Sequence, residues 1–333
     1  MMATIKDIAK LARVSTATVS RVLADKTSFY TEETAIKVRK AAEELGYQKN
    51  TAAMELVTKK SNVIAVIVES TKSNFSNQII TGIQTIAYKQ NLNVIILYAG
   101  INSSELQRKS LQTVIERSVM GILLLAINLS FDNLNLLKNS RIPFFFLAVS
   151  FQKGTIPFIS SDDFQIGYQA TKYLISQGHK KIGFAGADFD ISYTGKLRLL
   201  GYQQALKENN LPSDKNWIKL GNYSYEAGLQ AMKDYGKKNA ISAIIANSDL
   251  VAIGIINQAA AFGLSIPSDI SVISVDGTDF CSIFRPQITS VSQSFYEMGV
   301  LGTEYLLNQR DNSVEKRFTP IEIKQRDSVK CLS

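Results

Sequence analysis

Two textures of apolar and polar positions divide the chain. Over residues 4–23 the apolar side chains recur at helical spacing in two short runs. Ile5, Ile8, Ala9 and Ala12 fall at i, i+3, i+4 and i+7, one face of an amphipathic helix. Thr4 can cap its first turn, and Asp7 completes the capping-box spacing. Val14 then turns toward the core, and Ser15 can cap a second helix that buries Val19, Val22 and Leu23. The other side of that helix is short and polar: Thr16, Ala17, Ser20 and Arg21. So small a pair cannot fold alone, and a third helix follows. Thr31 caps it, Glu32 and Glu33 suit its positive end, and Ala35, Val38, Ala42 and Leu45 face inward. The spacing predicts a three-helix helix-turn-helix head over residues 1–48.

From Asn62 the period changes. Short apolar runs rich in β-branched residues, such as Val63–Val68, read as buried parallel strands. Further strands are predicted at 93–99, 121–127, 143–149, 181–186, 217–220, 243–246 and 271–275. Helical patterns separate them at 77–90, 105–117, 131–138, 166–177, 194–209, 224–236 and 249–262. Such alternation implies βαβ units and parallel sheets. The strands are too many for one ordinary doubly wound domain, so two α/β lobes are predicted. A last helix over 297–308 and an alternating edge strand over 320–326 return the chain. Crossings between the lobes are expected near 161, 290 and 320. The N-lobe then holds about 62–161 and 291–319, and the C-lobe about 162–290 and 320–333. Residues 49–61 read as a polar connector, in which Asn50 can cap a helical stretch reaching Val57. A helix that short is marginal in water by itself.

Charge sharpens the picture. The 333 residues carry a net charge of +8. Residues 1–60 hold eleven Lys/Arg and seven Asp/Glu, a difference of +4, so half the excess sits in under a fifth of the chain. That concentration favours phosphate binding at the N-terminus. The two cysteines, Cys281 and Cys331, make no disulfide framework, and reduced thiols in a cytoplasmic protein are expected. Met1-Met2-Ala3-Thr4 shows no basic region followed by an apolar one, so no signal peptide is expected. No run approaches the length of a membrane span. The single histidine, His179, excludes a two-histidine zinc site, and it reads as a helix-end residue satisfying terminal carbonyls. No nucleophile elbow, phosphate-binding loop, zinc-protease motif or paired Cys-x-x-Cys is present, so no catalytic residue, metal or cofactor is expected.

Val14-Ser15-x-Ala17-Thr18-Val19-Ser20-Arg21-Val22, with Leu45-Gly46-Tyr47 and then Asn50, resembles the DNA-binding head of the lac-repressor family of bacterial transcription factors. The resemblance continues through Ser161-Asp162-Asp163, Gly178-His179, Arg198-x-x-Gly201-Tyr202, Asn247-Ser248-Asp249 and Val275-Asp276-Gly277. It implies a periplasmic-binding-protein-like bilobed domain behind the head. It also implies a hinge helix that orders on operator DNA, with Asn50, Ala53 and Leu56 at the minor groove and Leu56 wedged between base steps. The chain departs from the family at Lys49, usually proline, and at Met54, often arginine. In the effector domain, the resemblance implies that Arg198 and Asp276 grip ligand hydroxyls. Phe75, Tyr223 and Phe295 would cover an apolar sugar face, with Asn128 and Ser248 as polar wall. Ala148 stands where a sugar-binding relative has aspartate.

The expected protein is therefore an α plus α/β, cytoplasmic, homodimeric transcriptional repressor of a sugar-utilisation operon. It would bind a pseudo-palindromic operator, and a small sugar in the interlobe cleft would change that affinity. Thr16, Ala17 and Arg21 are the expected base readers, Arg21 on a guanine edge. Ser15, Thr18, Ser20 and Lys6 are expected as phosphate contacts or caps. Alternatives are a sugar-binding or sugar-modifying α/β protein with an appended head, and a corepressor-dependent regulator. If Leu56 is the wedge, Leu56→Ala reduces operator affinity and DNA bending together in gel-shift and bending assays; unchanged bending would remove it from that role.

Overall fold

The structure is a computed structural model. It describes the chain except residues 1–2, 26, 48–60, 70–73, 152–155, 189–191, 239, 309–315 and 333. The expected hinge residues Asn50, Ala53 and Leu56, with Lys49 and Met54, lie outside the described residues. The chain divides into two compact units, Met1–Ser61 and Asn62–Ser333.

The first unit holds α1 (Ile5–Ala12), α2 (Thr16–Leu23) and α3 (Glu32–Glu44). Thr4 and Asp7 form a reciprocal capping box, and Ser15 and Thr31 cap the next two helices through the N–H groups of Thr18 and Thr34. The turn between α1 and α2 is made by Arg13 in left-handed conformation, and the N–H of Val14 donates to the Ala9 carbonyl at 3.1 Å. Ile8, Val19, Val22, Ala35, Val38 and Ala41 form the buried centre. Leu45, expected inward, is 36 % exposed. It is the C-cap residue, where the helical register ends, and Ala41 takes the inward place.

The second unit carries strands β1 (Val63–Val68), β2 (Asn93–Tyr98), β3 (Gly121–Leu125), β4 (Phe144–Leu147), β5 (Phe158–Ser160), β6 (Ile182–Ala187), β7 (Ile218–Leu220), β8 (Ala243–Ala246), β9 (Ser271–Ser274), β10 (Thr289–Gln293), β11 (Lys316–Phe318) and β12 (Ile321–Lys324). They build two sheets, ordered β11-β5-β4-β3-β1-β2 and β12-β10-β9-β8-β6-β7. All pairings are parallel except β10 with β12, the expected alternating edge strand. Helices cover both faces of each sheet and close four apolar clusters, two to a lobe.

Three short strands escaped the periodicity. β5 and β11 span three residues each, and β10 is Thr289-Ser290-Val291-Ser292-Gln293, whose polar composition reads as loop. Its hydroxyls are nevertheless buried and paired: Thr289 Oγ1 accepts the Arg326 N–H at 2.9 Å, and Ser290 and Ser292 bond each other. Because β10 belongs to the C-lobe sheet, the second crossing falls after Gln293 rather than near 290. The other crossings lie between Ser160 and Asp163 and between Phe318 and Ile321. Two hydrogen bonds tie the three together: Ser161 Oγ with Thr319 Oγ1 at 3.3 Å, and Ser294 Oγ donating to the Pro320 carbonyl at 2.9 Å. His179 does not cap its own helix with its side chain. Its buried ring bonds Ser242 Oγ at 3.0 Å and the Lys330 carbonyl at 3.2 Å, pinning the C-terminal segment. No helix among the described residues is long and apolar enough to cross a membrane.

Three helix pairs meet at facing glycines: Gly82 with Gly299, Gly167 with Gly201, and Gly228 with Gly254. A Cβ on Gly299 would collide with the Ile79 carbonyl, and one on Gly82 with the Tyr296 carbonyl. Backbone cannot yield as a flexible side chain can. Gly299→Ala is expected to destabilise this unit by about 1–3 kcal/mol, read as a lower urea midpoint at unchanged m-value.

Candidate nucleic-acid face and ligand cavity

In the head, Ser15, Thr16, Ala17, Ser20 and Arg21 are exposed, as is Lys6 on α1. Thr18 is half-buried, with its hydroxyl 2.9 Å from Ser15 Oγ, so this pair serves the start of α2. Thr16, Ala17, Ser20 and Arg21 project from one side of α2 because Val19 and Val22 hold the other side in the core. The Arg21 guanidinium lies over the Phe29 ring, 5.3 Å from its centroid. Phe29, 60 % exposed, had no place in the sequence reading; it sits in a short 3-10 turn that apolar spacing does not reveal. A cation over an aromatic face is held without being neutralised.

In the second unit, a cavity of about 230 Å³ opens at the carboxyl ends of both sheets. This is where open parallel sheets gather ligands, at the point where strand order reverses. All seven residues expected to touch an effector line it: Phe75, Asn128, Arg198, Tyr223, Ser248, Asp276 and Phe295. The N-lobe contributes a stacked pair, Phe75 and Phe295, with ring centroids 5.0 Å apart. Asn128 is exposed on the wall. From the C-lobe, Tyr223 donates its hydroxyl to the Asp188 carbonyl and Ser192 Oγ, both at 3.3 Å.

The cation is more constrained than its sequence setting suggests. Arg198 Nε donates to Asp163 Oδ1 at 2.8 Å and Nη1 to the Asn247 carbonyl at 3.1 Å, with both ionic side chains nearly buried. Burial opposes the charge of Arg198, but the carboxylates of Asp163 and Asp276 outweigh it and hold the proton more firmly than water would. The Ser248 hydroxyl is likewise engaged, capping its helix through the Val251 N–H and donating to the Tyr223 carbonyl at 2.7 Å. Asp276 accepts from Gln293 Nε2 at 3.2 Å, at the last residue before the second crossing. Beneath it, the Asp249 carboxylate gathers Ser274 Oγ and the N–H groups of Gly277 and Thr278, fixing the loop that carries Asp276.

Several lining residues were not expected to touch a ligand: Glu69, Asp188, Asn222 and Gln293, with Asp163 and Asn247, which entered only as parts of family-matching motifs. Glu69 and Asp188 each directly follow the first strand of a lobe, a signal that strand boundaries could have supplied. Asn247 Oδ1 is buried without a hydrogen-bond partner among the described residues. Asn102, Ala126, Ala148 and Tyr223, all lining residues, adopt left-handed backbone. Strain of this kind, about 1–3 kcal/mol per residue, collects at functional sites. Among the described residues no cluster of three or more metal-ligating side chains occurs.

Residues 61–316 match the periplasmic binding proteins and sugar binding domain of the LacI family, and residues 4–50 match the bacterial regulatory proteins of the lacI family. Catabolite control protein A of Priestia megaterium is 31 % identical over 331 residues, 98 % of this chain and 99 % of its own. A crystal structure of a transcription regulator from Lactobacillus plantarum is 49 % identical, covers 81 % of this chain and 100 % of its own, and superposes with a TM-score of 0.75. The lac repressor dimer bound to operator and the anti-inducer ONPF is 25 % identical over 99 % of this chain and 100 % of its own, with a TM-score of 0.87.

The Asp276 carboxyl is pushed up to about 7, first by burial and then by the charge of Asp249, against the pull of Arg198. Its folded value lies above the unfolded one of about 3.9. The stability it contributes is thus complete below the unfolded value and lost as pH rises through about 7. Relative to wild type, Asp276→Asn should gain melting temperature between pH 4 and pH 8; a difference independent of pH would contradict this assignment.

Proposed function

Because this chain belongs to the LacI family of bacterial regulatory proteins, we propose that it represses transcription by binding a pseudo-palindromic operator, with a small sugar as effector. Residues 1–48 serve as DNA-binding head, 49–61 as hinge, and 62–333 as effector and dimerisation domain. Thr16, Ala17 and Arg21 read base edges, while Ser15, Thr18, Ser20 and Lys6 act as phosphate contacts or caps, Ser15 and Thr18 holding the start of α2. Asn50, Ala53 and Leu56 approach the minor groove from the hinge. The protein works as a homodimer in the cytoplasm, because one small head makes too few contacts for useful specificity.

The observation that carries the effector reading is the cavity itself. It combines a stacked aromatic pair with converging carboxylates and amides, at the switch points of two lobes joined by three short crossings. Aromatic faces suit the C–H face of a sugar, and carboxylates suit its hydroxyls. A ligand touching both lobes favours one lobe arrangement over another, and operator affinity follows only as far as that preference goes. The same two states serve an inducer or a corepressor, depending on which arrangement the ligand prefers.

Arg21→Ala should cost about 1–3 kcal/mol of operator affinity and relax specificity at one base pair per half-site. Equal weakening on unrelated DNA would reassign Arg21 to phosphate. In the same gel-shift assay, Asp276→Ala should bind operator normally without sugar and lose the response to it; a retained response would move the effector site elsewhere.

A further inference from the structure

We propose that Phe29 is a positioning residue for DNA reading: its ring holds the Arg21 guanidinium so that the arginine is presented to a base edge instead of settling on the nearest phosphate. This rests on the reading of Arg21 as a base contact and adds the residue through which that contact becomes selective.

The two side chains come from different elements. Arg21 lies in the last turn of α2, and Phe29 closes the 3-10 turn Thr27–Phe29. The guanidinium carbon stands 5.3 Å from the ring centroid, inside the range of about 6 Å over which a π face draws a cation. The ring is held from both sides along the chain. Before it, Asp25 takes left-handed backbone, pairs with Arg39 of α3 at 3.1 Å, and accepts the Thr27 N–H on its carbonyl at 3.0 Å. After it, Tyr30 packs on the core of the head and Thr31 caps α3. Phe29 itself is 60 % exposed, so burial in that core is not what fixes its place.

The nature of the contact gives it a consequence for specificity. Arg21 is exposed, and among the described residues no carboxylate pairs with it. Left alone, so long a side chain samples many rotamers, and fixing one of them on binding costs affinity. A freely moving cation also finds the DNA backbone first, and phosphates carry no sequence information. A π face restrains the charge and takes none of the guanidinium N–H groups into a hydrogen bond. The donors stay free for the bidentate contact with guanine O6 and N7. An acidic partner would also hold the arginine, but it would consume those donors and cancel the charge that DNA attracts. An aromatic ring on the neighbouring turn orders the side chain and leaves its chemistry intact.

The test uses the full-length protein and a duplex that wild type selects from a randomised library, then varied one base pair at a time in gel-shift titrations. Phe29→Leu keeps an apolar side chain without the π face. It should bind the selected duplex about five- to thirtyfold more weakly, since both heads of the dimer lose the contact. The lost discrimination should fall at the base pair that Arg21→Ala also relaxes. Phe29→Tyr keeps the face and should match wild type. In an Arg21→Ala background, Phe29→Leu should change affinity by less than about twofold, because the two residues act as a unit. Melting temperatures establish the fold of each variant, and Phe29→Met covers a leucine variant that does not fold. Equal weakening on every duplex, the same loss in the Arg21→Ala background, or a tyrosine variant as impaired as the leucine one overturns the proposal and leaves Arg21 as a base reader. If Arg21→Ala itself weakens all duplexes alike, the base-reading assignment falls, and the proposal with it.

Discussion

The ligand cavity depends on one buried ion pair. Arg198 and Asp163 come from successive helices of the C-lobe and meet at 2.8 Å with almost no solvent around them. Removing one partner from such a pair strands a charge, at a cost of about 3–5 kcal/mol. The two helices therefore have to stay in register. Facing glycines keep them so: Gly167 lies against the backbone of Arg198, and Gly201 against the carbonyl of Phe164. The pair also fixes its surroundings. The remaining arginine donor reaches the Asn247 carbonyl, and the guanidinium charge moderates Asp276. The rigidity of the cavity wall is thus set by helix packing below it.

A rigid wall in each lobe is what makes movement between the lobes useful. Each lobe has its own apolar clusters, and the chain passes between them at three short crossings linked by Ser161, Ser294, Thr319 and Pro320. A hinge of this kind absorbs rotation in a few terminal residues while the packed cores move as bodies. Gln293 stands at one crossing and bonds Asp276 in the cavity. The cavity lining and the crossing therefore share a hydrogen-bonded residue pair.

The head works under a different constraint. Its core is small alanines and valines with one isoleucine, so its helices sit close and their outward sides are set by a few side chains. Three side-chain caps, at Thr4, Ser15 and Thr31, stabilise helices too short to persist alone. Phe29 beneath the Arg21 guanidinium adds a constraint on the longest side chain on the outward side of α2.

Local chemistry was legible in the sequence. The caps, the outward Thr16-Ala17-Ser20-Arg21 face, the long strands and the seven lining residues follow from spacing or from family-matching motifs, because each depends on neighbours a few positions away or on a recurring motif. Short polar β10 was not legible, since its hydroxyls are satisfied by Arg326 from across the fold and by each other. Nor was the true state of Arg198, whose carboxylate partner lies 35 residues away on another helix. The exposure of Leu45, the reach of His179 to Lys330 and the convergence of carboxylates on the cavity belong to the same class. Sequence determined the longer helices and strands and which side of each is apolar. Tertiary structure decided which charges meet and which polar groups are satisfied, because those depend on distances between residues that the chain order does not bring together.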